Sequence, residues 1–211
     1  MTSRSKTQSG SNAKTLLIWL GGAIAVIGLV AIVVSGGTSS GSDHPDLQGA
    51  PTVTGERLAR FVTGQADAEA GKPVPEVRGA DFDGTPVTIE NNGKAKLLLF
   101  LAHWCPNCQA EVPEVVDWLA QNEVPADVEI MAVATSISRT RDNFPPSDWL
   151  ERENWPLPVI LDSPSSEVGI AFGASAFPIW AMVDADGNLV TRISGAGQVD
   201  LNLWTTALSS L

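Results

Sequence analysis

The stretch Leu97-Leu98-Leu99-Phe100-Leu101-Ala102-His103-Trp104-Cys105-Pro106-Asn107-Cys108 decides the fold. A fully apolar run ends in a short break, and a Cys-x-x-Cys pair follows at once. Such a run is expected of a strand buried on both faces, in a sheet covered by helices. The pair falls where a helix starts, because Pro106 fits a first helical turn and cannot continue a strand.

These are the only 2 cysteines in the chain. Three residues apart, they cannot build a disulfide scaffold, so their value is chemical. A cysteine at a helix N-terminus faces unpaired backbone N–H groups and the positive end of the helix dipole, which favour its thiolate. Cys105 holds that position. Cys108, one turn on, lies on the same side and can attack a mixed disulfide formed at Cys105. Rival readings are a zinc site, two structural cysteines, and a peroxide-reducing cysteine. Zinc lacks ligands, since the only histidines are His44 and His103, the second too near Cys105 for an ordinary site. A peroxidatic cysteine and a buried inert pair stay open on the residues alone.

Outward from this stretch the chain reads as alternating elements. A helix is expected from Pro106 to near Gln121, with Pro113 kinking it and Val112, Val115, Val116 and Leu119 on its apolar face. Strands are expected at Pro86 to Ile89, Val128 to Ala134, Pro158 to Leu161, Ile179 to Val183 and Leu189 to Ile193. The last two flank the hairpin signal Asp184-Ala185-Asp186-Gly187-Asn188. Further helices are expected after Ser147, over Ser165 to Phe172, and after a capping Asp200, with Leu201, Trp204, Leu208 and Leu211 on one face. A short helix over Thr54 to Thr63 follows from the spacing of Leu58, Phe61 and Val62. The order predicts an α/β fold, a mixed sheet with helices on both faces.

Composition separates the two ends of the chain. Acidic residues outnumber basic ones 24 to 13, a net charge of −11. Arg4, Lys6 and Lys14 precede the first apolar run and no acidic residue does, so the remainder carries 10 basic against 24 acidic groups. A surface this acidic repels nucleic acid and anionic lipid. Leu16 to Val34 are 19 uncharged, mostly apolar residues. As a helix they would reach about 28 Å, close to a bilayer core. The run exceeds an ordinary signal-peptide core, and its preceding positive charges predict an N-terminus kept in the cytoplasm. The expected organisation is therefore a cytoplasmic segment at 1–15, a transmembrane signal-anchor at 16–34, a tether and short extension at 35–72, and a globular domain at 73–211. The domain would sit outside the cytoplasm on a single-pass anchor in the cell membrane.

Trp104-Cys105-Pro106-Asn107-Cys108 resembles the Trp-Cys-x-x-Cys signature of the thioredoxin-like family. Pro113 matches that family's kinking proline, and Phe177-Pro178 its cis-proline site. The resemblance covers roughly residues 73–211 and is nearest to the membrane-tethered TlpA/ResA-like thiol-disulfide oxidoreductases. It implies a thioredoxin-like fold, an attacking thiol at Cys105 and a resolving thiol at Cys108. It implies Pro178 in cis against the pair, and Phe177 offering backbone to a substrate chain, with Trp104 as a wall. Pro106 and Asn107 would tune the potential. No cofactor and no metal is implied, since the pair is its own redox centre. The implied partners are thiols or disulfides of exported proteins and a membrane redox partner.

One departure stands out. Many thioredoxins carry a buried acid six residues before the first cysteine, and Leu99 occupies that position here. Glu111 or Glu114 could serve instead, although solvated helix charges are the plainer reading of both. His103 is expected as an exposed loop histidine, or as a cation favouring the thiolate if protonated. The direction of exchange is poorly marked. A proline after Cys105 is similar to the oxidants, while tethered relatives are more often reductants, and the balance leans to a reductant. A redox-inert tethered binding module is the remaining class.

Overall fold

A computed structural model describes residues 44–210, together with Met1. The expected cytoplasmic segment, the anchor at 16–34 and Leu211 lie outside the described residues. Among those described, no helix is long and apolar enough to cross a membrane.

The central sheet has five strands. They are β4 (Ala95–Leu101), β5 (Val128–Ala134), β6 (Val159–Leu161), β7 (Ile179–Val183) and β8 (Leu189–Ser194), in the order β6-β5-β4-β7-β8. β5 runs parallel to β4 and to β6, whereas β7 is antiparallel to β4 and β8 to β7. The sheet is therefore mixed, as expected. A second, antiparallel sheet of β1 (Thr52–Thr54), β2 (Glu76–Ala80) and β3 (Pro86–Ile89) precedes it. The described residues also form the short 3-10 helix Pro45–Leu47 and the α-helices α1 (Pro106–Gln121), α2 (Pro146–Arg152), α3 (Glu167–Ala171) and α4 (Leu201–Leu208).

β4 is buried at every position. Alternate side chains point to opposite faces of a strand, so this run feeds two cores at once. Leu97, Leu99 and Leu101 pack with Cys108, Val112, Val115, Trp180 and Trp204. Leu98 and Phe100 pack on the other side with Val133, Ile179, Phe172, Leu58 and Phe61. Each such leucine contributes about 1.5–3 kcal/mol by leaving water. A charge at any of them would be buried without a partner.

The structure corrects the sequence reading in several places. Thr54 to Thr63 is not a helix. Gly55 turns the chain at φ +102°, and the next residues run extended, the Leu58 and Phe61 N–H groups donating to the carbonyls of Ala171 and Gly173. Leu58 and Phe61 are buried against α3, while Val62 is 52% exposed. An apolar pair three apart satisfies a docked extended segment as well as a helix face. β2 was not expected, because Glu76 and Arg78 break its apolar pattern. Ser147 does not cap α2; that place is held by Pro145, and the Ser147 N–H instead bonds Asp46 Oδ2 at 2.8 Å. Asp46 is itself buried, so the stretch read as tether packs on the domain from His44 onward. Asp200 does cap α4, accepting from the Leu203 N–H at 3.1 Å.

Candidate active site

β4 delivers the chain to the site. After Leu101 it turns through Ala102-His103-Trp104, the Cys105 N–H bonding back to the Ala102 carbonyl at 2.9 Å. Cys105 is the N-cap of α1 with extended backbone, and Pro106 opens the helix. A cap must leave the helical region while its carbonyl takes the first helical bond, and here that bond comes from Gln109.

The two cysteines are free thiols in unlike surroundings. Cys105 is half-buried, and its Sγ donates to the Phe177 carbonyl at 3.2 Å. Phe177-Pro178 is a cis peptide, as the family resemblance implied, and Pro178 is buried beside the pair. Cys108 is fully buried, its Sγ accepting only a long contact from the Ala102 N–H at 3.5 Å. Burial pushes the Cys108 thiol far up, and the neighbouring Cys105 and the negative charge of Glu111 push the same way. Pro106 and Asn107 are exposed on the first turn of α1.

Glu111 overturns the expectation of a solvated helix charge. It is 3% exposed, and its carboxylate accepts from Trp180 Nε1 and from the Gly197 N–H, each at 2.7 Å. Trp180 is the register partner of Leu99 across β4 and β7. The strand position that lacks an acid is thus backed by an indole that holds a carboxylate arriving from α1. Gly197 has φ +66°, a conformation that side chains disfavour, and this turn aims its N–H at Glu111. The signal was present in the sequence: 108, 111, 112 and 115 share one helix face, so an acid at 111 belongs to the buried stripe. Glu114 is exposed, as expected.

His103 also departs from expectation. It is 1% exposed. Its Nε2 accepts from the Ser138 N–H at 3.1 Å, so Nδ1 carries the proton and donates to the Asp142 carbonyl at 2.7 Å. Burial holds its pKa below the usual histidine value, against the pull of that carbonyl. A neutral ring cannot act as the cation favouring a thiolate.

Trp104 forms the wall. Its indole N–H donates to the Ser136 carbonyl at 2.7 Å. Its ring meets Phe177 edge-on at 6.4 Å between centroids, and the Arg141 guanidinium lies over its face at 4.9 Å. Cys105, Cys108, Trp104, Phe177 and Pro178 are therefore gathered at one place. Among the described residues no group of acids, histidines and cysteines could hold a metal ion.

Known proteins resemble this chain in sequence and fold. The family model for Redoxin matches residues 69–204. The thiol:disulfide interchange protein HelX of Rhodobacter capsulatus is 32% identical over 132 residues, 61% of this chain and 69% of that protein. Sporulation thiol-disulfide oxidoreductase A of Bacillus subtilis is 24% identical over 151 residues, 70% of this chain and 90% of that one. A solved thiol:disulfide interchange protein of the thioredoxin family from Chlorobium tepidum TLS has the same fold, with a TM-score of 0.52 at 24% identity over 68% of this chain and 99% of that one. Such proteins work through their own cysteine redox centre, without a cofactor. The chain belongs to the Redoxin family and is a thioredoxin-like thiol-disulfide oxidoreductase.

Proposed function

We propose that this protein is a membrane-anchored reductant of disulfides in exported proteins, with Cys105 as attacking and Cys108 as resolving thiol. The observation that carries the reading is the unequal burial of the pair: one sulfur half-open against the Phe177 carbonyl, the other closed off beside Glu111.

The cycle balances without an added group. The Cys105 thiolate attacks one sulfur of a substrate disulfide, forming a Cys105–substrate bond and releasing the other sulfur as a thiolate, which takes a proton. Cys108 gives up its proton and attacks Cys105, releasing the second substrate thiol and leaving Cys105–Cys108 as the disulfide. Burial keeps Cys108 protonated until then, so its proton needs an acceptor. Glu111, one turn along the same helix face and held only by neutral N–H donors, is that acceptor.

The same burial supports a direction. A strong oxidant is one whose reduced form is stabilised as thiolate. Beside Cys108 the long Ala102 N–H contact favours a thiolate, but burial outweighs it, which supports a reducing pair. Export is supported by the apolar run 16–34 and the positive charges before it. A membrane redox partner would return the pair to the dithiol.

Two measurements test this. Equilibration of the pair with a redox buffer should give a potential nearer that of thioredoxin, about −270 mV, than that of DsbA, about −120 mV. A value near the latter overturns the reductant. A membrane-impermeant maleimide should label Cys105 in intact cells, and labelling only after lysis overturns export. Cys105→Ser should abolish exchange, and Cys108→Ser should accumulate mixed disulfides with exported proteins.

A further inference from the structure

The segment between β5 and α2 is fastened to the cysteine turn by four side-chain bonds, all of them to His103 or Trp104. Ser136 O accepts from the Trp104 indole, Ser138 N–H donates to His103 Nε2, and Asp142 O accepts from His103 Nδ1. The Asn143 side-chain amide donates to the His103 carbonyl at 3.4 Å. Ser136 and Asn143, the ends of this strap, both have left-handed backbone, at φ 51° and φ 58°. The strap carries Arg139, Thr140, Arg141 and Asp142, all exposed.

Arg139 and Arg141 share the lack of an ion pair with the exposed Arg60 and Arg78, but only Arg141 lies over the residue before Cys105. Arg57, Lys72, Lys94, Lys96 and Arg192 are each in an ion pair with an acidic residue, and Arg152 bonds Asn143. Among the described residues Arg139 and Arg141 take no acidic partner, although the chain's net charge is −11. Arg141 spends its guanidinium on the face of Trp104, the residue before Cys105. A guanidinium stacked on an aromatic face keeps its N–H edge free to grip a carboxylate. The adjacent Asp142 has its backbone carbonyl turned in to His103.

From this placement we infer that Arg141, helped by Arg139, is a specificity residue that selects disulfides flanked by acidic residues in the substrate polypeptide. The His103–Trp104 dipeptide positions the strap, which sets Arg141 over the residue before the reacting sulfur. The net negative charge disfavours an acidic chain over most of the domain surface, so cations beside the site weigh in its approach. The inference rests on Cys105 being the attacking thiol.

The test uses reduced full-length protein in single turnover against two disulfide-linked peptides, identical except for Glu or Lys on both sides of the cysteine. The Glu peptide should be reduced about 10-fold faster at low salt, with the ratio shrinking as salt rises. Arg141→Glu should invert the ratio, and Arg139→Gln with Arg141→Gln should bring it close to one, while Arg141→Lys should keep part of it. A merely structural role for Arg141, propping Trp104, would slow both peptides alike and leave the ratio where it was. Equal wild-type rates, or a preference that survives the double variant, overturn the inference. A separate arm needs no turnover: serine analogues of the two peptides are titrated while the Trp104 indole N–H resonance is followed. The acidic analogue should shift that signal and the basic one should not. The opposite result refutes the arginines' role even if Cys105 proves not to be the attacking thiol.

Discussion

Among the buried carboxylates of this domain, Asp67 and Glu111 are held in opposite ways. Asp67 is clasped by Arg192, whose Nε and Nη2 reach its two oxygens at 2.8 and 2.7 Å. The same guanidinium donates to the carbonyls of Ala59 and Phe172 and lies over the Phe61 ring. Burial works to raise the Asp67 pKa, but the bonds from Arg192 and the Glu69 N–H prevail and hold it below the usual value. Glu111 has no cation among its hydrogen-bond partners, only an indole and a backbone N–H. The difference separates two uses of a buried acid. A carboxylate with a full counter-charge fastens the chain; one held by neutral donors beside a buried thiol is free to exchange a proton.

The largest effect should come from removing the counter-charge. Arg192→Ala leaves Asp67 buried and unpaired, and should cost about 3–5 kcal/mol in urea unfolding. Residues 59–69 would come away from β8, while the cysteine turn, on the other core, keeps its exchange chemistry in the folded fraction. A loss under about 1 kcal/mol, the value of an exposed pair, would break the comparison. Next in size, Glu111→Gln should slow disulfide exchange by about 10²-fold and change its pH profile, with much less loss of stability. If exchange is unchanged but stability falls, Glu111 is a second fastener and the contrast with Asp67 disappears.

Acid separates the two further. With its folded pKa depressed, Asp67 contributes stability that is fully present above its ordinary value of 3.8 and lost as pH falls through the lower folded value. Urea midpoints followed into acid should therefore drop in that range. The drop should be smaller in Asp67→Asn, and an equal drop would assign it to other carboxylates.

How much of this was legible in the sequence depends on whether the cause is local. β4, α1, β5 and the β7–β8 hairpin were, because continuous apolar runs, Pro106 and the Asp186-Gly187 turn act within a few residues. The cysteine turn and Pro178 were legible through their motif. Residues 54–63 and β2 were not: the first docks on α3 through backbone bonds to Ala171 and Gly173, and the second pairs with strands on either side of it. The partners that hold Glu111 and His103 were missed for the same reason, although the place of Glu111 on the buried face of α1 was legible. Each residue depends on partners far along the chain, Trp180 and Gly197 for one, Ser138 and Asp142 for the other.

His103 supplies the smallest effect and the sharpest form of the comparison. Like Glu111 it is buried on the site side, hydrogen-bonded only to neutral backbone groups. Burial is why its folded pKa lies below the ordinary 6.5, and protonating it would also set a new Nε2–H against the Ser138 N–H. The unfolded chain then binds the proton more readily. The stability His103 contributes is fully present above 6.5 and falls away as pH drops through the folded value. Urea midpoints between mildly alkaline and mildly acidic pH should show this loss, and His103→Gln should flatten that part of the curve. In the same range the Trp104 fluorescence and the selectivity between Glu- and Lys-flanked peptides should change, since His103 fastens the arginine strap. The Asp67–Arg192 clasp should be silent there, because Asp67 stays ionised. A mild-pH transition that persists in His103→Gln would show that the site side is no more sensitive to protons than the clasp.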